Sequence, residues 1–264
     1  MPFYPLCRFL RQMLIILASY TLFFIIISSQ WVAMQHWTQS FKPLLGLFLQ
    51  SFCPVCQRST PLDLCLDCER QVQRCQHPDP GASWQTPSPV FAWGDYGGAL
   101  KRAIATLKYE NQPQLARPLG HWLANAWLAS PLSQTPVTVV PIPMHAAKRQ
   151  KRGFDQAELL AEAFCDKTGL LLRRQGLERV RATTAQFELS AEARQQNLLG
   201  AFQLGREFRH RSPHSPVLLL DDVYTTGATV NAAAQTLRRH QIRVYGVVAI
   251  AKPLFDKAYS NAAS

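Results

Sequence analysis

The chain has 264 residues, 47% of them hydrophobic and 17% charged, which leaves room for one good-sized domain with a small appendage and excludes a disordered polymer. Its 28 Lys and Arg against 17 Asp and Glu give a formal net charge of +11, which favours an anionic partner: nucleic acid, a phosphorylated metabolite or a membrane surface. Charge alone does not choose among them.

In chain order, the first feature is an apolar run. No Asp, Glu, Lys or Arg occurs in residues 12–41, and residues 13–28 are almost wholly apolar, so length and composition permit a membrane span. Arg8 and Arg11 precede the run and Lys42 follows it. The positive-inside rule would then keep the N-terminus in the cytoplasm and send the rest of the chain, with the thiols and phosphosugar loop described below, to the far side. A cleavable signal peptide has the same defect, and no clean A-x-A site follows Ile27. The reading adopted is a translation start at Met34, with residues 1–33 upstream of it; a membrane anchor is the alternative. Mass spectrometry of the native N-terminus decides between them. The expected location is the cytoplasm, with inner-membrane association the lesser alternative.

Residues 41–52 have helical apolar spacing and lead into two C-x-x-C knuckles, Cys53 with Cys56 and Cys65 with Cys68, separated by eight residues. Each knuckle supplies two thiolates to one tetrahedral ion, so this spacing fits a structural Zn²⁺ site better than a disulfide framework and argues for a reducing compartment. Residues 34–75 thus read as a helix and zinc ribbon. Residues 76–89 hold four prolines and scattered Gly, Ser and Thr, a composition expected of a linker. A larger domain follows from residue 90 to residue 264.

Within it, residues 97–109 read as a short basic helix, and Leu115, Leu119, Trp122, Leu123, Ala126 and Trp127 fall at helical spacing. The tryptophans are assigned to the core. Strands are expected at 137–142, 170–172, 217–220 and 244–250, with helices at 157–164 and 228–239 and a polar stretch at 173–203. Strands alternating with helices predict an α/β fold: a parallel sheet flanked by helices, with its ligand site at the carboxyl ends of the strands.

The most specific segment is Leu220-Asp221-Asp222-Val223-Tyr224-Thr225-Thr226-Gly227-Ala228-Thr229. A strand that ends in a small-residue turn and opens a helix presents backbone N–H groups and the positive end of the helix dipole to an anion. Gly227 permits close approach and an unusual φ, while Thr225, Thr226 and Thr229 add hydroxyl donors. Asp221 and Asp222 accept hydrogen bonds from neighbouring diol hydroxyls. Acids beside a phosphate cradle fit a ribose 5-phosphate, such as phosphoribosyl pyrophosphate, better than a bare phosphate.

This loop resembles the ribose-phosphate loop of type I phosphoribosyltransferases. The resemblance extends to Val139-Val140-Pro141-Ile142-Pro143-Met144-His145, to Lys148-Arg149-Gln150-Lys151-Arg152-Gly153-Phe154-Asp155-Gln156-Ala157, and to Arg179-Val180-Arg181-Ala182-Thr183-Thr184-Ala185-Gln186. It includes Arg194-Gln195-Gln196-Asn197, Leu107-Lys108-Tyr109 and the cysteine knuckles. Together these look like the ComF/GntX family, which couples a zinc ribbon to a phosphoribosyltransferase-like domain. The likeness runs from about residue 41 to residue 252 and leaves out residues 1–33. One departure is visible: where the family reads Arg-Gly-Phe-Asn-Gln, this chain has Asp155, which keeps the helix-capping ability of Asn but loses its amide donor.

The resemblance implies Mg²⁺ accompanying phosphoribosyl pyrophosphate, bound largely by ligand oxygens and water. Pro143, His145, Arg149, Lys151 and Arg152, after the strand at 137–142, are candidates to meet the pyrophosphate, and Arg181 and Arg194 belong to a polar stretch that would close as a lid. No catalytic base is identified; His145 reads more readily as structural. Little chain follows Lys252, so no hood for reading a base is visible. The ComF likeness implies a role in natural competence, with single-stranded DNA and DNA-uptake or recombination proteins as partners; an active phosphoribosyltransferase in nucleotide or cofactor salvage is the alternative. Membrane contact is not favoured.

Overall fold

The computed structural model describes residues 51–181 and 200–253. The apolar run, the start at Met34, the helix at 41–52 apart from its last two residues, most of the lid stretch with Arg194, and the residues after Pro253 lie outside the described residues. Among the described residues, no helix is long and apolar enough to cross a membrane.

After the first knuckle comes helix α1 (Leu66–Gln73), then strand β1 (Val90–Asp95), α2 (Gly98–Tyr109), α3 (Ala116–Leu128), β2 (Thr138–Pro141), α4 (Ala146–Arg152), α5 (Gln156–Thr168) and β3 (Leu171–Leu172). A short antiparallel pair, β4 (Leu177–Arg179) and β5 (Phe202–Leu204), precedes β6 (Val217–Val223), α6 (Ala228–Arg239) and β7 (Val244–Lys252). The main sheet has the order β1-β7-β6-β2-β3, and every pairing in it is parallel.

Strand β6 lies at the centre, and alternation along it divides the core. Leu218 and Leu220 face one side with Val248 and Ile250, where α2, α3 and α5 contribute Leu107, Leu123, Trp127, Leu160 and Phe164. Val217 and Leu219 face the other side, against Val230, Ala233, Ala234 and Leu237 of α6. Residues 217–220 are apolar without interruption because both faces of the strand are covered. The result is the parallel sheet flanked by helices expected from the sequence.

Three elements differ from the sequence reading. Strand β1 is not expected from the pattern, because its short apolar run abuts a proline-rich stretch. Strand β6 continues past Leu220 to Val223, since Asp221 and Val223 still pair with Ala249 and Ala251 of β7. The third is the stretch 76–89. It is fastened down: the His77 N–H donates to the Trp93 carbonyl at 2.9 Å, Ala92 N–H to Pro80 at 3.0 Å, and Trp84 packs its ring 5.8 Å from Trp127 and 5.0 Å from Tyr245. The chain from Phe52 onward forms one unit with no division there. A single tryptophan with an aromatic socket overrides what proline content alone would predict.

Candidate functional site

The acids stand at the carboxyl end of the central strand. Asp221 Oδ1 accepts the N–H of Asp222 at 2.8 Å, and Asp222 Oδ1 accepts the N–H of Val223 at 2.7 Å. Asp222 is buried, and its Oδ2 lies 2.5 Å from the ammonium of Lys108, at the end of α2. Burial works against the Lys108 charge, but the Asp222 carboxylate, with Asp221 behind it, outweighs that and holds the ammonium pKa above its ordinary value. The Asp221 carboxyl is pushed well up, first by loss of hydration and then by the charge of Asp222, with Lys108 opposing. Two adjacent carboxyls are thereby made unequal: one is committed to an ion pair, the other remains able to meet a ligand hydroxyl.

Beyond them, Thr225 and Thr226 are exposed and Gly227 caps α6 with φ 75°, in the left-handed region that favours glycine. The N-cap residue Gly227 offers no side chain to this helix start, and Thr226 Oγ1 lies 3.5 Å from the Ala228 N–H. Tyr224 lies against the turn: a Cβ on Gly227 would stand 2.3 Å from its hydroxyl. Ala228 and Thr229 are half-buried in the first turn of α6. Strand, acid pair, glycine turn and helix start therefore meet as the sequence predicts.

The basic candidates separate into groups. Arg152 places its guanidinium 5.5 Å over the ring of Tyr109, the neighbour of Lys108, and hydrogen-bonds Gln156. Lys148 has its pKa lowered by burial and then by Arg179 and Arg152, so it lies within electrostatic reach of both. Arg179, half-buried with its guanidinium 5.4 Å over Phe202, is lowered by burial, against which Asp221 and Asp155 act. Thus Lys108 and Arg179 act on the acid pair, Lys148 lies within reach of Arg179, and Arg152 sits over the residue next to Lys108. Arg149 instead turns back to Glu158 of α5 at 3.0 Å, and Lys151 points into solvent. His145 caps α4, its Nδ1 accepting the Ala147 N–H at 3.3 Å, and Pro143 is half-buried in the turn after β2. Arg181 is exposed at the margin of the described segment. Sequence reasoning passed over Lys108 and Arg179 as site residues, although both stand in the segments that carry the family likeness.

The four knuckle cysteines converge. Sγ of Cys53, Cys56, Cys65 and Cys68 all lie within 4.8 Å of one another, with Cys56 and Cys65 3.5 Å apart, far beyond a disulfide bond of about 2.05 Å. This cluster can hold a metal ion. Arg58 Nε donates to Cys56 Sγ at 3.3 Å, which pulls that thiol down to about 6 and favours thiolate, while burial pushes Cys68 up. Four sulfurs drawn together with one already biased toward thiolate fit a cation in their midst.

No family model matches the chain. The DNA utilization protein YhgH of Salmonella typhimurium (strain LT2) is 32% identical over 204 residues, covering 74% of this chain and 88% of that protein. The chain belongs to the ComF/GntX family. Competence protein F of Haemophilus influenzae is 29% identical over 212 residues, 77% of this chain and 92% of its own, and competence protein ComFC of Bacillus subtilis is 26% identical over 186 residues, 70% of each. Among solved structures, an adenine phosphoribosyltransferase from Trypanosoma brucei in complex with AMP, pyrophosphate and ribose-5-phosphate aligns with a TM-score of 0.37 at 14% identity, over 74% of this chain and 71% of that one.

The departure from the family pattern at Asp155 has a clear structural role. Asp155 Oδ1 accepts the N–H groups of Ala157 and Glu158 at 3.0 and 3.4 Å, capping α5, and Oδ2 accepts the Met144 N–H at 2.8 Å. The cap survives the change from Asn. The second oxygen ties the turn after β2 to the helix, and burial raises the Asp155 pKa.

Proposed function

We propose that this ComF-family chain acts in natural competence and single-stranded DNA uptake, and that it holds a ribose 5-phosphate ligand, phosphoribosyl pyrophosphate with Mg²⁺, on the loop from Asp221 to Thr229. The observation that carries the ligand is the unequal acid pair at the end of β6, braced by Lys108 and followed directly by a glycine-capped helix start. Asp221 would accept from the ribose diol, the first turn of α6 with Thr225, Thr226 and Thr229 would take the 5-phosphate, and Lys148, Arg152 and Arg179 would face the pyrophosphate. Mg²⁺ would offset pyrophosphate charge through ligand oxygens and water. The competence role is supported by relatives named for competence and DNA utilization. Zn²⁺ is the ion proposed for the four cysteines, as the common occupant of a four-thiolate site, and reduced cysteines at such proximity fit action on the cytoplasmic side, beside DNA-uptake or recombination proteins.

Titration calorimetry with phosphoribosyl pyrophosphate and Mg²⁺ tests the site. Asp221→Asn should abolish measurable binding and lower transformation frequency in a competent host; unchanged affinity overturns the assignment.

An active phosphoribosyltransferase is the second reading, and one observation favours it. A hollow of about 310 Å³ runs along β1 from Val90 to Asp95, lined in part by His77, Asp79, Asp95 and Lys252, and offers room for an acceptor. Pyrophosphate release on adding nucleobases or amines would establish it.

A further inference from the structure

The end of the domain remote from the loop is strongly basic. Arg206, Arg211, Arg238, Arg239 and Arg243 are all exposed, and none has an acidic partner among the described residues. The acids nearby are already engaged: Glu207 with Arg173 at 3.4 Å and the Gln175 N–H at 2.6 Å, and Glu178 with Arg209 at 2.7 Å. Exposed His210, His214 and His240 stand among these arginines, and Arg211 Nη2 meets His214 Nε2 at 2.8 Å. Arg238 and Arg239 sit in the last turn of α6, where one or two cations suffice to complement the helix dipole. Five arginines without an acidic partner among the described residues exceed that need.

Arg211, Arg238, Arg239 and Arg243 line three adjoining hollows, the second and third of them shallow and wide open. One of about 450 Å³ lies at the amino ends of β2, β3 and β6; a second of about 290 Å³ shares Arg211 with it; a third of about 430 Å³ shares Gln241 with the second. All three belong to the amino ends of the parallel strands. The acid pair lies at the other end of β6, a strand about 20 Å long at about 3.3 Å per residue.

We propose that this face binds the phosphate backbone of single-stranded nucleic acid, at a site separate from the ribose-phosphate loop. The proposal deepens the DNA-handling reading given above by placing its contact surface. Each of these five cations is Arg, whose planar fork matches phosphate oxygens. A stiff duplex, with a persistence length of about 150 base pairs, touches protruding groups, whereas a flexible strand can follow successive recesses. A membrane surface is the weaker fit: a peripheral membrane site sets an apolar face beside its cations, and Leu171, at one rim, is the only exposed large hydrophobic residue lining the three hollows.

The test uses the full chain, a fluorescent thymidine oligonucleotide of about 20 nucleotides, the matching duplex, and vesicles of anionic lipid. The triple variant Arg211→Ala, Arg239→Ala, Arg243→Ala should bind the oligonucleotide at least about ten-fold more weakly, and the slope of log affinity against log salt should flatten by about 2, from three phosphate contacts at about 0.7 each. Its affinity for ribose 5-phosphate should be unchanged, which also shows that it is folded. Asp221→Asn should leave oligonucleotide affinity intact, and excess ribose 5-phosphate should not displace the strand. Oligonucleotide affinity that survives the triple change, is lost with Asp221→Asn, or is exceeded by that for duplex or vesicles overturns the proposal. Failure of ribose 5-phosphate binding in every protein, with the strand result intact, would instead remove only the loop assignment.

Discussion

Lys108 Nζ and Asp222 Oδ2 stand 2.5 Å apart with side chains only 18% and 7% exposed, joining the end of α2 to the end of the central strand. Asp222 Oδ2 has no conventional hydrogen bond among the described residues, so Lys108 is its main partner. Lys108→Met should destabilise the domain by about 3 kcal/mol in urea titration, because it strands a buried carboxylate, and adding Asp222→Asn should restore part of the loss. The folded Lys108 pKa is raised, so the pair's contribution is fully present below the unfolded value of about 10.4 and fades as pH rises through the folded one. Equal stability of wild type and Lys108→Met would show the pair to be energetically idle.

Asp155 gives a slope of the same sign in the acid range, from a different cause. Its folded pKa is raised by burial, so the folded state binds more protons than the unfolded one once pH exceeds the ordinary Asp value of about 3.9. Stability therefore falls as pH climbs from there to the folded pKa, then levels. Asp155→Asn should remove this slope while keeping the cap on Ala157 and Glu158; its amide cannot accept the Met144 N–H, so the turn after β2 should loosen. Urea midpoints across this pH range, with amide exchange at Met144, provide the measurement.

Gly227→Ala should cost about 1–2 kcal/mol from the left-handed backbone alone. The new Cβ would also drive the Tyr224 ring from the turn, so ribose 5-phosphate affinity should fall as well. Combining it with Tyr224→Ala should relieve the collision and leave the backbone penalty. Melting temperature and calorimetry on the three variants separate the two contributions.

Cys53→Ser should empty the cysteine cluster, read as metal content per chain, and residues 52–75 should become sensitive to protease. Bound structural zinc contributes on the order of 10 kcal/mol to such a module, while the described knuckles bury only a few apolar side chains, such as Leu64 and Val72. Full metal content in the variant would dismiss the cluster as a metal site.

Much of this site is legible in the chain because its parts are contiguous. Strand, acids, threonines, glycine and helix follow one another from Val217 to Arg239, so local pattern rules capture them, and two knuckles fix the cysteine cluster in the same way. What escapes local reading is pairing between remote segments. Nothing near Lys108 announces Asp222 as its partner, and Arg179 reaches the site only because the β4–β5 ribbon carries it there. Trp84 sits among prolines that announce a linker, yet its socket is formed by Trp127 and Tyr245, which no window around residue 84 contains. Strand β1 owes its place to pairing with β7, the last strand of the chain.

The fastening of residues 76–89 bears on solubility. A β-strand at the margin of a sheet offers unpaired backbone groups on which another chain can grow. Here the segment runs along the outer side of β1: Asp95 N–H donates to the Cys75 carbonyl at 2.9 Å and Val90 N–H to Ser83 at 3.3 Å, and Gly94 lets the Cys75 carbonyl come so near that a Cβ there would stand 2.5 Å from it. That selvedge is anchored upstream by α1 and the cysteine cluster. Loss of the proposed ion from the cysteine cluster should therefore unpick the hem of the sheet, and the chelator-treated protein should self-associate through β1 before its core melts.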